Sequence, residues 1–302
     1  MRPAPAGRAG ALAALGLLAA AASPAQQTSS ATEELAFDRP ESWAMKYVTS
    51  VSLPTGFSLP ERLGAGGIRL VLEGAYVPQV SDDQRRVGFD GTKLEDINKT
   101  KVFGRIRAQV GLSKSYSAEL GYVPPIRSNG AKPHLVSLAF ARPFDLSPAW
   151  RLGLRAFGQI GTIHGDITCS AEEAAAGPDP DANPFSCEAP SDDTLDQSVL
   201  GLEVTAGYVK GAWRPYLGLS LNHLDLEFQV NARYAGLLDH TRQLTDGTTV
   251  SLTAGVSYEG WSRWRLGALI FYSPLSVTRP PATSASTEGL WSVRALVSYR
   301  LR

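Results

Sequence analysis

The chain has 302 residues, and its 29 Lys and Arg balance its 29 Asp and Glu, so net charge points to neither nucleic acid nor a polyanion as partner. Glycine is abundant at 29 residues, and the two cysteines form no CxxC pair, which removes the usual spacing of a redox or zinc motif.

The amino terminus carries Arg2 and Arg8, the apolar run ALAALGLLAAAA, and then small residues at Ser23 and Ala25. This pattern predicts a secretory leader, residues 1–25, cut after Ala25. Its apolar run is too short for a helical span, and no other segment approaches the roughly 20 apolar residues that such a span needs. An exported chain of this kind is either soluble or a β-barrel. Residues 26–42 are polar and read as weakly ordered. The stretch WAMKYVTSVSLPTGFSLP, 43–60, alternates at Met45, Tyr47 and Val51, and fits either a strand or a short piece tucked against a wall. Residues 26–64 are therefore taken as an N-terminal segment, periplasmic or wall-packed, and 65–302 as the main body.

From there the period-2 pattern repeats. GIRLVLEGAYV places Ile68, Leu70, Leu72 and Tyr76 opposite Arg69 and Glu73. KVFGRIRAQVGLS sets Val102, Ile106, Ala108 and Val110 against Arg105, Arg107 and Gln109, and SYSAELGYV sets Tyr116, Leu120 and Tyr122 against Glu119. LVSLAFAR, 135–142, is shorter. WRLGLRAFGQIGTIHG opposes Trp150, Leu152, Leu154 and Ile160 to Arg151, Arg155 and Gln159, and SVLGLEVTAGYV opposes Leu200, Leu202, Val204 and Tyr208 to Glu203. WRPYLGLSLNH carries Arg214 with Pro215 early in the run, where a bulge is expected. VSLTAGVSYE, WRLGALIFYS (with Arg265) and GLWSVRALVSYRLR (with Arg294) complete ten strands.

The connections alternate as well: short at SKS, RPFDLSPA, KGA and EGWSR, long at about 78–100, 124–134, 165–197, 224–249 and 274–289. Short turns on one side, long loops on the other and spans near 9–11 residues predict an all-β, antiparallel transmembrane meander barrel. Ten strands return both wall ends to the short-turn side, and twelve is the alternative, since single-chain barrels have even counts. Trp150, Tyr208, Trp213, Tyr258, Trp264 and Tyr299 lie near the short turns, as at a membrane interface. With its glycines and its polar second face, the region from 67 to 302 resembles bacterial outer-membrane β-barrel proteins in architecture. The resemblance implies outer-membrane lipid, lipopolysaccharide and the assembly machinery as partners. One departure is the ending Leu301-Arg302 where such proteins commonly place an aromatic.

The second face predicts lumen-lining residues Arg69, Glu73, Arg105, Arg107, Glu119, Arg155, Glu203, Arg214, Arg265 and Arg294. They fit either a ladder of cross-strand ion pairs filling a narrow lumen or a slightly basic pore for small polar solutes. A closed barrel with a structural or ligand-binding surface is the competing reading. An embedded hydrolase would need a histidine held with a serine or acid at the outer rim. His134, His164, His223 and His240 offer no such spacing, so no catalytic residue, cofactor or metal ligand is assigned. Cys169 and Cys187 fit a disulfide within the acidic loop that also carries Asp179, Asp181, Asp192 and Asp193. That loop lacks EF-hand spacing and reads as a solvated surface loop.

Overall fold

The computed structural model describes residues 27–99 and 101–302, so the predicted leader lies outside the described residues. Ten strands form the wall: β1 (Ile68–Tyr76), β2 (Val102–Gly111), β3 (Ser117–Val123), β4 (Lys132–Asp145), β5 (Trp150–Gly165), β6 (Asp193–Tyr208), β7 (Trp213–Gln229), β8 (Arg242–Tyr258), β9 (Trp264–Ser273) and β10 (Leu290–Arg300). Each pairs antiparallel with the next in sequence, and β10 returns to β1 from Val293 opposite Tyr76 to Arg300 opposite Arg69. Closure leaves no membrane-level edge with unpaired backbone, the condition for a sheet in lipid.

The outward face explains where the membrane lies. Along β7, Trp213, Leu217, Leu219 and Leu221 face out, and the same face continues as His223 and Asp225. The apolar stretch from Trp213 to Leu221 therefore matches a tilted strand's crossing, and the rest of β7 stands above it. On β6 the outward set changes in the same way, from Leu200 to Ser198 and Asp196. The predicted strand boundaries stopped short at these outer ends because a strand wet on its outer face loses the apolar alternation by which it is recognised. Across the wall, aromatic partners sit side by side at the short-turn end: Trp150–Tyr208 at 5.3 Å, Trp213–Tyr258 at 4.9 Å and Trp264–Tyr299 at 4.8 Å. Tyr272–Trp291, at 4.3 Å, stands at the opposite end of the β9–β10 pair.

The N-terminal segment occupies an unexpected place. Gln27–Ser29 pairs in parallel with Leu237–Asp239 of an outer loop, and Thr32–Glu34 pairs in parallel with Arg242–Leu244 of β8. The second pairing covers an edge left open because β9 accompanies β8 only as far as Leu252. The stretch expected to be weakly ordered is thus tied to the outer mouth. Helix α1 (Pro40–Val51) follows, and the chain then runs down the inside of the barrel to begin β1 at the short-turn end. The segment packs on the wall from within, so the described chain starts at the outer mouth although the strand parity is even.

The alternation at Met45, Tyr47 and Val51 does not produce a strand. Pro40 at the first helical position and Glu41 in the first turn favour a helix start. The helical period is hidden because α1 is enclosed nearly all round: of residues 40–50, all but Ala44 and Val48 are buried. Trp43 donates from Nε1 to Glu288 O at 2.9 Å, Tyr47 Oη donates to Pro78 O at 2.9 Å, and Lys46 Nζ donates to Phe37 O and to Ser276 O.

Candidate functional site

Beyond α1 the chain reads SLPTGFSLPE, with Pro54, Gly56 and Pro60 breaking any regular ladder. Buried backbone without secondary structure must find partners elsewhere. It finds them on the wall, where six successive carbonyls, Ser50 to Thr55, each accept a hydrogen bond from a wall arginine. Arg294 on β10 donates to Ser50 O (3.2 Å), Val51 O (3.3 Å) and Leu53 O (2.7 Å). Arg105 on β2 donates to Ser52 O, Arg155 on β5 to Pro54 O, and Arg107 on β2 to Thr55 O at 2.9 Å. The next donor in the chain, Gly56 N, meets both oxygens of Glu203 at 3.0 and 2.9 Å.

The wall register builds the belt that makes these contacts. Pairing of β1 with β2 sets Glu73 opposite Arg105, and pairing of β5 with β6 sets Arg155 opposite Glu203. Glu73 receives Arg107 Nε at 2.9 Å and lies 3.7 Å from Arg105 and 3.8 Å from Arg294. Glu119 on β3 joins Arg107 at 3.0 Å and Arg155 at 2.8 Å, and also accepts Gln109 Nε2 at 2.7 Å. Arg155 reaches Glu203 at 3.2 Å. Four guanidinium groups thus meet three carboxylates within a buried ring, and the surplus cation faces the C-terminal end of α1, where the helix dipole is negative. Breaking such a pair costs about 3–5 kcal/mol, because one charge is left buried without its partner.

Nearer the short turns, the segment contributes its own acid. Glu61 bridges Arg69 on β1 and Arg265 on β9. Arg265 also meets Glu259 at 2.9 Å, and Arg214 at the start of β7 lies 3.6 Å from the same glutamate. Two interior glycines give the segment room. A Cβ on Gly153 would stand 2.2 Å from Pro60 Cδ, and one on Gly207 would stand 2.7 Å from a Leu59 methyl carbon. The sequence named the ten charged wall residues, and the structure places nine of them in two buried clusters, with Arg214 half-buried at the end of the second. It did not name the groups they hold, Ser50 to Gly56 and Glu61. The signal available was the proline- and glycine-broken run directly after the ambiguous helix.

Of the histidines, His134 and His164 stand at diagonal positions on the paired strands β4 and β5. His164 Nδ1 lies 3.2 Å from Thr194 Oγ1, His134 stands edge-on to Tyr122 at 5.9 Å, and His223 faces outward above the apolar band. In the acidic loop, Cys169 and Cys187 form a disulfide with Cα atoms 5.7 Å apart. Asp193 is saturated by Ile167 N, Thr168 N, Ser191 Oγ and Asn231 N, and Asp179 caps a turn through Asp181 N. Among the described residues, no group of three or more His, Cys, Asp or Glu side chains is placed to hold a metal ion.

At the outer mouth, α1 leaves a space beside it. The face formed by Glu41, Ala44, Met45 and Val48 looks across a cavity of 300 Å³ toward Ile163, Ile167, Leu195, Phe228 and Val230. The loop residues Val87 to Asp90, Glu95 and Ile97 close another side.

No family model matches the chain, and no curated protein matches it. Solved structures with which it aligns include the N-terminal β-barrel domain of Pseudomonas aeruginosa OprF, at 8% identity over 79% of this chain and 99% of that one, with a TM-score of 0.30. The outer membrane protease OmpT from Escherichia coli aligns at 8% identity over 78% of this chain and 94% of its own, with a TM-score of 0.35. The translocator domain of the autotransporter NalP from Neisseria meningitidis aligns at 12% identity over 85% and 93%, with a TM-score of 0.38. The chain's own topology defines its class: a closed ten-strand antiparallel barrel with a lipid-facing band and paired interfacial aromatics is a transmembrane β-barrel of the outer-membrane kind. Within that class it is a barrel whose lumen is occupied by its own N-terminal segment.

Proposed function

We propose that this protein is a closed, non-catalytic barrel of the bacterial outer membrane that acts through its outer face, and that it is not a standing pore for polar solutes. The observation that carries this reading is the run of six carbonyls, Ser50 to Thr55, each bound by a wall arginine. The arginines that would give an anion pathway are committed to the segment and to Glu73, Glu119 and Glu203. Lipid and lipopolysaccharide would surround the outward band, and the assembly machinery would insert it.

The test is conductance of the purified full-length barrel in planar bilayers. The expected result is no steady current above background, with rare transient openings at most. A steady, ohmic conductance from the unmodified protein would overturn the proposal and restore the pore.

A further inference from the structure

We propose that the cavity beside α1 at the outer mouth is a binding site for a small amphiphile with an apolar body and a cationic head. The inference rests on the closed-barrel reading, because the docked helix forms one wall of the site.

Three observations lead to it. First, the cavity is built from separate elements. One helical face, Glu41, Ala44, Met45 and Val48 at i, i+3, i+4 and i+7, supplies a side, and Ile163, Leu195 and Phe228 on β5, β6 and β7 supply the facing side. Second, α1 is enclosed on most of its other sides, with Val51 at its last position the one partly exposed residue away from the cavity. Ala44 and Val48, which both border the cavity, are the two positions among 40–50 that retain exposure. A helix that packs closely against the wall on its other sides would bury these small apolar residues too, unless the space beside them were kept for something else. A space of 300 Å³ stands at the lower end of the range of small-molecule sites, which are mostly apolar with a few polar groups at defined places.

Third, the polar groups on the lining are strongly of one sign. They comprise five acids, Glu33, Glu41, Asp90, Glu95 and Asp239, against one guanidinium, from Arg39. Burial pushes the Glu95 carboxyl up to about 8, so the other four carry the negative charge at neutral pH. Arg39 is engaged with Glu41 at 3.3 Å and Asp90 at 3.1 Å. Behind the lining, Lys93 lies 2.7 Å from Glu95, and Glu33, Glu41, Asp90 and Asp239 still outnumber Arg39 and Lys93 together. Walls of low polarity concentrate such a field, so an ammonium head is attracted and a carboxylate head repelled. The same geometry gives an alkyl body contact with Met45, Val48, Leu195 and Phe228, and this part of the attraction does not depend on charge.

The experiment uses the full-length protein in lipid nanodiscs, free of detergent, titrated calorimetrically with decyltrimethylammonium below its micellar concentration. Empty nanodiscs correct for partition into lipid. The expected result is saturable binding at one site per barrel, with decanoate bound at least tenfold more weakly. Ala44→Phe and Val48→Trp fill the cavity, and each is expected to weaken binding at least tenfold while the heat-modifiable gel mobility of the folded barrel is retained. Non-saturable uptake, equal affinity for decanoate, or unchanged affinity in the folded cavity-filling variants would overturn the proposal. If the variants do not fold, the comparison of the two probes on the unmodified protein decides it. Loss of binding in a barrel that conducts no current rejects the site alone, whereas steady conductance rejects the closed-barrel reading.

Discussion

Replacing Arg294 with Met tests whether the wall arginines hold the lumen segment in place. The Arg294 side chain has no solvent exposure, and its guanidinium lies 4.1 Å from the centre of the Phe271 ring. Of its acceptors, Ser50 O keeps a bond from Leu53 N at 3.4 Å, and Leu53 O keeps one from Thr55 N at 3.0 Å. Val51 O loses its arginine donor. An unsatisfied buried carbonyl costs about 1–3 kcal/mol, and the two charge-assisted bonds lost at the other carbonyls add about 1 kcal/mol each. Loss of a cation at the end of α1 removes about 0.3–1 kcal/mol more. Against this, the variant no longer buries a guanidinium, but fully buried Glu73 loses the cation at 3.8 Å, so only part of the desolvation is returned. The gross loss of about 3–6 kcal/mol is offset by about 1–2 kcal/mol. The balance is a loosening of roughly 2–4 kcal/mol, or about 30- to 1000-fold in the opening equilibrium.

Hydrogen exchange of the refolded barrel in nanodiscs reads this directly. Amides of residues 43–52 are expected to exchange about 30- to 1000-fold faster in the variant, while those of β6 and β7 keep their protection. Brief current steps in planar bilayers are expected alongside. If exchange in α1 changes by less than about threefold in a folded barrel, the arginine contacts do not hold the segment, and the reasoning fails.

Other outcomes follow from the same geometry. Gly153→Val places a side chain where Pro60 and Thr205 Oγ1 already stand, at 2.2 and 2.4 Å from a Cβ. Overpacking of this kind costs about 1–3 kcal/mol, so protease cleavage near residues 57–62 should increase while the barrel's gel mobility is kept. Replacing both Cys169 and Cys187 with Ser opens a loop of 18 residues, which should lose about 3 kcal/mol of local stability, seen as faster proteolysis at 170–186 with the wall unchanged. Asp166 in the same loop should make its ordering acid-sensitive. Burial alone would raise its pKa, but Lys99 at 2.8 Å, together with the backbone donor Ala171 N at 3.1 Å, outweighs burial and holds it below the ordinary carboxylate range. A depressed folded pKa gives stability that is present above the unfolded value near ~4 and is lost as pH falls through the folded value. Protection at 166–171, taken relative to the intrinsic exchange rate at each pH, should therefore fall below about pH 4, and Asp166→Asn should remove that dependence.

The wall was legible in the sequence because lipid outside and charge inside impose the strict alternation of a strand. Leu70, Leu72 and Tyr76 against Arg69 and Glu73 could be assigned to their faces by period alone, and the same holds for the terminal strand, which closes on β1. The outer halves of β6, β7 and β8 were not legible, because Asp196, Ser198, His223, Asp225 and Asp246 face water there. Segment 43–60 fits either a strand or a piece tucked against the wall, and its helical form is hidden for a different physical reason. Enclosed by the barrel, α1 carries apolar or neutral groups on most sides, its one acid, Glu41, pairs with Arg39, and its one cation, Lys46, is bonded to the carbonyls of Phe37 and Ser276. The charged residues of the lumen could be named, but not what they bind, since their ligands are backbone carbonyls and a carbonyl leaves no signature in a sequence.

The belt and the segment are therefore best understood as halves of one structure. Suppose the segment were absent and the ring empty of chain. Arg105, Arg107, Arg155 and Arg294 would face one another across a narrow lumen with only Glu73, Glu119 and Glu203 to neutralise them. Water would have to solvate what the six carbonyls now solvate. Conversely, the run from Ser50 to Thr55 could not be buried against an aliphatic wall, since its carbonyls would have no donors. Substituting the four arginines and the three glutamates together with apolar residues should therefore not produce a drier, tighter barrel, as such replacement does for many isolated buried pairs. It should expel the segment, because here the charges satisfy backbone that has no other partner.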